Sequence, residues 1–363
     1  MAYLENRIHK LQQLLQKMGL DGLIVTEGYN LRYLTGFKGG TGDGLLVVGL
    51  HEARLITDAR YQTEYQDQLP EDVSLAITRE YYAEAVKTVA EFGIKQLAFE
   101  ASLSYEIYNY IEELLPADIS LDALPGAIES LREAKDEQEI TAIKKATQAS
   151  VKAFNELLNF IKVGQTERQV ADELDRLQKE FGGSKPSFDT IVASGYRSAL
   201  PHGEATDKII EAGDLVTIDF GYYVDGYTSD VTRTIAMGQI DPELEKIYNI
   251  VKEANAEAID VVKPGIATAE IDRVARQYIE ERGYGQYYNH GTGHGAGLNI
   301  HEGPVLTVNA GDEVLAGNLL TIEPGIYLPD RGGVRIEDDI LVTPQGHENL
   351  TEGISKELIV IDR

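Results

Sequence analysis

A chain of 363 residues, 43% hydrophobic and 26% charged, is long for one core and ordinary in balance; two soluble globular domains are expected, not a fibrous, disordered or membrane-spanning protein. A net charge of −27 repels phosphate backbones and argues against nucleic acid as a partner, with surface solvation accounting for most of the excess. The absence of cysteine excludes disulfides, a thiol nucleophile and thiolate-bound metal; with no apolar run of bilayer length and no apolar leader, a cytoplasmic protein without a membrane partner is expected.

In chain order, Leu4, Ile8, Leu11, Leu15 and Met18 form a helical stripe closed by GlyLeu (19–20). Residues 21–26, 44–50 and 53–58 read as strands, as do the apolar stretches 73–77, 96–99 and 118–124, with helices near 81–92 and 104–115 between them. This is an α/β layer structure without a cluster of ligand-type side chains, and a scaffolding or oligomerisation role is expected of it. LeuProGlyAla (124–127) marks the boundary, giving domains 1–126 and 127–363. Past it, the run 130–140 opens a long amphipathic helix whose apolar face carries Ile140, Ile143, Ala146, Val151, Phe154, Leu158 and Ile161.

The second domain contains an internal duplication. IleLysValGlyGlnThrGluArgGlnValAlaAspGluLeu (161–174) resembles ValLysProGlyIleAlaThrAlaGluIleAspArgValAla (262–275), each closing one helix and opening the next with a capping residue. AlaGlyAspLeuValThrIleAspPheGly (212–221) resembles AlaGlyAsnLeuLeuThrIleGluProGly (316–325). Each half reads helix, helix, strands, and two such halves would meet strand to strand about a pseudo-two-fold axis. Asp219 and Glu323 then occupy one position of the repeat, each an acid ending an apolar strand, where a carboxylate is costly unless paired or metal-bound.

AspGly (225–226), flanked by aromatic and β-branched residues, signals a type I′ hairpin. That turn sets Val224 opposite Tyr227 and Gly221 opposite Asp230, so Asp219 shares a face with Asp230 as a diagonal pair about 7 Å apart, within joint reach of one cation. In the second half LeuProAspArgGlyGly (328–333) is too long to fix register, and Glu337 matches Asp230 by a looser analogy. Asp338 and Asp339 are alternatives, Asp338 pointing to the opposite face. His294 lies in HisGlyThrGlyHisGlyAlaGly (290–297), whose glycines rule out a helical ligand pair and admit close backbone approach. The same segment satisfies a G-x-G-x-x-A pattern but lacks the preceding buried strand that dinucleotide binding needs. His202, His290 and His301 also fall in glycine- and proline-punctuated segments. Four carboxylates and an imidazole (Asp219, Asp230, Glu323, Glu337 and His294) form a hard, oxygen-rich set suited to two divalent cations, with manganese favoured and cobalt, zinc or iron as other occupants.

ThrIleAspPheGly, SerAspValThrArgThr, HisGlyThrGlyHisGly, HisGluGlyPro, IleGluProGlyIleTyr and ArgIleGluAspAsp together resemble the metallopeptidase family of Xaa-Pro aminopeptidases, prolidases and methionyl aminopeptidases. The resemblance implies a creatinase-type α/β N-terminal domain and an α+β pita-bread catalytic domain with a pseudo-two-fold repeat. It implies that Asp219 chelates one metal, His294 and Glu323 the other, and that Asp230 and Glu337 bridge them. Glu323 would also shuttle a proton, His202, His290 and His301 would position substrate on the oxyanion side, and Arg335 would hold Glu337. The implied activity is release of the residue before proline from a peptide by a dinuclear-metal aminopeptidase, with a homodimer as the expected assembly. A dipeptide-restricted prolidase is the alternative; Arg197, Lys185 or Arg331 could then bind the substrate carboxylate, although residues 302–322 lack Lys and Arg. A catalytically inactive binding protein on the same fold is the remote alternative.

Overall fold

The computed structural model describes residues 2–363, which divide into one compact unit ending at Arg132 and another spanning Glu133–Arg363. Among the described residues no helix is long and apolar enough to cross a membrane.

The first unit runs α1 (Ala2–Met18), β1 (Gly22–Val25), α2 (Gly28–Thr35), β2 (Gly44–Gly49), β3 (Ala53–Thr57), α3 (Gln62–Tyr65), β4 (Val73–Ile77), α4 (Tyr81–Glu91), β5 (Gln96–Glu100), α5 (Tyr105–Leu114), β6 (Ser120–Leu124) and α6 (Ala127–Glu133). Its strands form one mixed sheet in the order β4-β3-β2-β1-β5-β6. Ile24, Val47, Ile56 and Leu97 on one face pack against Ala85 and Val89 of α4 and Ile111 of α5. Every strand and helix expected from periodicity is present. Met18 departs from the expected stripe: it is 52% exposed, because the helix ends there at Gly19, φ +75, one turn beyond the buried Leu15. Helix α2, which no apolar period announces, is instead built by its ends. Glu27 accepts from the Asn30 amide, and Gly36 closes the helix at φ +76.

In the second unit α7 (Glu137–Leu157), α8 (Glu167–Glu180), β7 (Lys185–Pro186), β8 (Ile191–Ser194), β9 (Leu215–Phe220), β10 (Tyr222–Tyr223) and β11 (Val231–Met237) make the first half. The second comprises α9 (Pro242–Asp260), α10 (Thr268–Glu281), β12 (Gly293–Gly295), β13 (Glu302–Leu306), β14 (Leu319–Ile322), β15 (Gly325–Leu328), β16 (Gly332–Arg335), β17 (Asp338–Thr343) and β18 (Gly346–Asn349), and β19 (Val360–Ile361) returns beside β11. The helix expected to run on from 130 is two helices. Asp136 restarts the chain as the N-cap of α7, in a reciprocal capping box with Glu139.

The duplication is written into the hydrogen bonds. The Gly164 amide donates to Ile210 O at 2.9 Å, and its counterpart Gly265 to Val314 O at 2.8 Å. Gly213 and Gly317 share φ values of +91 and +94, in the left-handed region where a side chain would be strained. The capping expectation holds in one copy only. Thr166 forms a capping box with Gln169, whereas Ala267 makes no side-chain cap and the Thr268 amide and hydroxyl bind Asp312 O.

Strand parity gives each half the same section. Val216, Ile218 and Phe220 of β9, with Val231 and Ile235 of β11, face Phe154, Leu157, Val170 and Leu174 of α7 and α8. Leu320, Ile322, Ile340 and Val342 face Ala258, Ile271 and Ala275 of α9 and α10. The intervening positions, including Thr217, Asp219, Asp230, Thr232, Thr234, Thr321, Glu323 and Glu337, lie on the opposite faces. There the halves meet: the Glu337 amide donates to Thr232 O at 3.1 Å and the Arg335 amide to Thr234 Oγ1 at 3.2 Å.

Candidate metal centre

The first hairpin has the expected register. Asp225 and Gly226 take φ values of +53 and +90, as a type I′ turn requires. Val224 and Tyr227 exchange bonds of 2.9 and 3.0 Å, and Asp219 pairs with Thr232 and Phe220 with Val231, which leaves Gly221 opposite Asp230. A Cβ on Gly221 would sit 1.9 Å from Ser229 O, so only glycine lets the strands close beside the acids. Asp219 and Asp230 are therefore a diagonal pair.

The second hairpin differs from the looser analogy. Ile322 pairs with Asp338 and Gly325 with Arg335, so Glu323 lies directly opposite Glu337. Glu337 takes the register place of Thr232, not that of Asp230. A glutamate there reaches the same space because its side chain is longer, and Thr232 Oγ1 donates to Glu337 Oε2 at 2.7 Å. Asp338 faces away, paired with Arg233 at 2.8 Å and Lys356 at 3.1 Å, which holds its carboxyl below the usual range despite burial. Asp339 accepts from the Asp230 amide at 3.1 Å and from Thr147 Oγ1 at 3.3 Å, and supports Asp230 from behind.

His294 enters from β12, where its amide donates to Thr321 Oγ1 at 3.0 Å. Its Nδ1 lies 2.9 Å from Gly295 O; a carbonyl can only accept, so Nδ1 carries the hydrogen. Burial pushes the ring down to about 4, so at neutral pH Nε2 is a lone pair. That lone pair lies 3.7 Å from Asp230 Oδ2 and 3.6 Å from Glu323 Oε1. With a neutral ring these contacts are not ion pairs. Once the acids are ionised they are acceptors facing an acceptor, an arrangement a cation satisfies.

Ligand atoms of Asp230, His294 and Glu337 all lie within 4.8 Å of one another. Burial, then the negative neighbours Glu337 and Asp219, raises Asp230 well above the carboxylate range; burial, then Glu323 and Asp219, does the same to Glu337. Burial carries Glu323 up to about 8 and Asp339 to about 7. Asp219 Oδ1 is buried without a hydrogen-bond partner. A set of hard oxygen donors, one imidazole lone pair, mutual repulsion and an orphaned oxygen fits divalent metal.

Arg335 is fully within the site. Its guanidinium donates to Asp219 Oδ2 at 2.5 Å, Thr232 Oγ1 at 3.2 Å and the Tyr327 hydroxyl at 3.0 Å; it bears on Glu337 through Thr232, which donates to Glu337 Oε2, and through its charge. Parity aims Arg335 and Glu337 to one side, and the longer guanidinium passes across to the other hairpin.

His202, His290 and His294 line one cavity of about 480 Å³ with Asp219, Glu323 and Arg335. His290 donates from Nδ1 to Gly291 O at 2.8 Å and accepts at Nε2 from Tyr327 OH at 2.9 Å, its ring pushed down to about 4 by burial. His301 is exposed and meets the His294 ring edge-on, 4.6 Å between centroids. None of the three cations considered for a substrate carboxylate lines the cavity. Arg197 pairs with Glu167, Arg331 with Asp241 and Glu243, and Lys185 lies over the Tyr223 ring. Tyr327, in IleGluProGlyIleTyr, is a site residue that sequence reasoning does not reach. Its even spacing from Glu323 was the available signal.

The "Metallopeptidase family M24" model matches residues 141–344, and the "Creatinase/Prolidase N-terminal domain" model matches residues 7–134. An Xaa-Pro dipeptidase of Pyrococcus horikoshii is 39% identical over 99% of this chain and 100% of its own length. The solved structure of an Xaa-Pro dipeptidase from Bacillus anthracis superposes with a TM-score of 0.94 at 41% identity, covering 99% of this chain and 100% of that one. That of an X-Pro aminopeptidase from Thermotoga maritima gives 0.87 at 33% identity, covering 95% and 99%. The chain belongs to metallopeptidase family M24, with the creatinase-type first domain and pita-bread second domain that its motifs implied.

Proposed function

We propose that this member of family M24 is a dinuclear-metal exopeptidase that hydrolyses the Xaa-Pro bond at the N-terminus of peptides. What supports the reading is that Asp230, His294 and Glu337 offer ligand atoms within 4.8 Å of one another, that Glu323 lies 3.6 Å from His294, and that Asp219, in the same cavity, has a buried oxygen without a partner. In this reading Asp219 would serve one cation, His294 and Glu323 the other, and Asp230 and Glu337 would serve both; manganese would suit the four oxygen donors and one nitrogen. Bound divalent cations would supply Lewis acidity, acidifying water toward neutrality and polarising the scissile carbonyl.

The chain's own residues do the rest. Glu323 faces the cavity and is the proton carrier to the leaving proline nitrogen. Arg335 fixes Asp219 and, through Tyr327, His290; His202 offers a ring nitrogen to the substrate carbonyl from the cavity wall. His301 steadies the His294 ring.

Peptides longer than two residues are the preferred substrates in this proposal. Among the described residues lining the cavity Arg335 is the one cation, and it is committed to Asp219 and Tyr327, so a dipeptide's carboxylate meets no unengaged positive charge. The second reading, a strict dipeptidase, is supported by the names of the Pyrococcus and Bacillus relatives. Steady-state hydrolysis of an Xaa-Pro dipeptide and an Xaa-Pro pentapeptide by the manganese-loaded protein separates them. Cleavage of the pentapeptide with the higher kcat/KM is expected, and cleavage of the dipeptide alone overturns the aminopeptidase assignment.

A further inference from the structure

Glu167 is a fully buried carboxylate at the first position of α8, outside the cavity and unused by the chemistry above. Its Oε1 accepts from the Ser194 amide at 2.7 Å and hydroxyl at 2.9 Å. Its Oε2 accepts from the Thr206 amide at 3.1 Å and hydroxyl at 2.7 Å. Arg197 Nε lies across both oxygens at 3.3 and 3.1 Å. One carboxylate thus clamps the start, the interior and the end of segment 194–206. Arg197 then spans the remaining gap, donating from Nη2 to Glu204 O at 2.6 Å. His202 stands between these two fixed points, on a turn closed by bonds from the Leu200 amide to Arg197 O and from the Gly203 amide to Leu200 O.

The duplication supplies an internal control. At the equivalent position the second half carries Thr268, which donates to Asp312 O and makes no such clamp. Starting a helix after Lys-x-Gly therefore does not demand a carboxylate. Five converging donors do, and the segment they hold carries His202 to the cavity.

We propose that Glu167 is a positioning residue for His202, acting through Arg197 and Thr206 to hold that ring at the cavity wall. This rests on the reading of His202 as a substrate contact. The test is a double-mutant cycle on the manganese-loaded enzyme with an Xaa-Pro pentapeptide, using Glu167→Gln, His202→Ala and both together, with bound manganese and Tm measured alongside. Glu167→Gln is expected to lower kcat/KM by about 10²-fold through misplacement, with metal content unchanged. The double variant is expected to be no slower than His202→Ala alone. Losses that multiply in the double variant overturn the link, as does a Glu167→Gln protein that loses its metal. Wild-type turnover by His202→Ala overturns the reading of His202 itself, and with it this proposal. Thr206→Val removes one donor only and repeats the cycle if Glu167→Gln does not fold, with the same non-additivity expected.

Discussion

The two halves of the second unit share a backbone plan and differ in what they hang on it. In both, alternate strand residues face a helix pair while the intervening polar residues face the other half, and Gly213 and Gly317 turn the chain at the same point. The first half presents its acids as a diagonal pair, Asp219 and Asp230; the second presents Glu323 directly opposite Glu337. Only the second contributes a histidine from the neighbouring strand; the first has Ala193, which pairs with Thr217 as His294 stands beside Thr321. A duplicated scaffold supplies two addresses at one centre, and side-chain length and identity, varied between copies, supply the chemistry.

The sharpest way to break that comparison is to remove one acid from each half. Asp230→Ala and Glu337→Ala are each expected to cut manganese-dependent kcat by more than the roughly 10–100-fold typical of outer-shell partners, and by similar factors. Calorimetric metal titration of each variant, run beside turnover, checks this; full activity in either refutes a shared centre.

Arg335 joins the halves without being proposed as a ligand. Arg335→Lys keeps charge but loses the fork that reaches Asp219, Thr232 and Tyr327 together, and should cost about 10–100-fold in kcat/KM. Loss of that size with manganese still bound is the expected result.

Metal removal sharpens the comparison energetically. Glu323 has a folded value of about 8 against an ordinary 4.5, so in metal-free protein it favours folding when protonated and opposes it when ionised. Its contribution is fully present below about 4.5 and is lost as pH rises through about 8; the raised Asp230 and Glu337 act in the same sense. Chelated protein should therefore lose Tm between pH 5 and pH 8 relative to manganese-loaded protein, measured by scanning calorimetry in paired buffers (pH limits about those of the shift). A gap that does not widen with pH contradicts the assignment.

Matched cores should respond alike. Ile218→Ala and Ile322→Ala, equivalent buried positions under each helix pair, are each expected to cost about 2–5 kcal/mol in denaturant unfolding. The smallest effects fall on the unequal caps. Thr166→Ala should lose about 1 kcal/mol with its capping box, and Ala267→Thr should gain at most about as much, because α10 has no side-chain cap.

Much of this was legible from residue order. The AspGly turn fixed the first hairpin, since two consecutive positive-φ residues admit one register, and that register dictates that Asp219 and Asp230 share a face. Repeats set Asp219 and Glu323 at matching strand ends. The second hairpin was not legible: residues 328–333 permit several registers, and the pairing that puts Glu337 opposite Glu323 is chosen by β14 and β17 packing on α9 and α10. Arg335 was placed in the site by the family resemblance of ArgIleGluAspAsp, and its direct partner Asp219 was not legible, because a long guanidinium takes its acceptor from whichever strand lies across the interface.

Sequence alone determined most of the elements, though not α2 or the break before α7, and the shared face of Asp219 and Asp230, because these depend on neighbours a few residues apart. Tertiary structure alone decided that His294 turns a lone pair toward two acids, that Asp219 Oδ1 is left without a partner, and that Glu167 closes around the segment bearing His202. These arrangements bring together residues far apart in the chain, within the first half for Glu167 and across both halves for His294, and they exist only once those segments have packed.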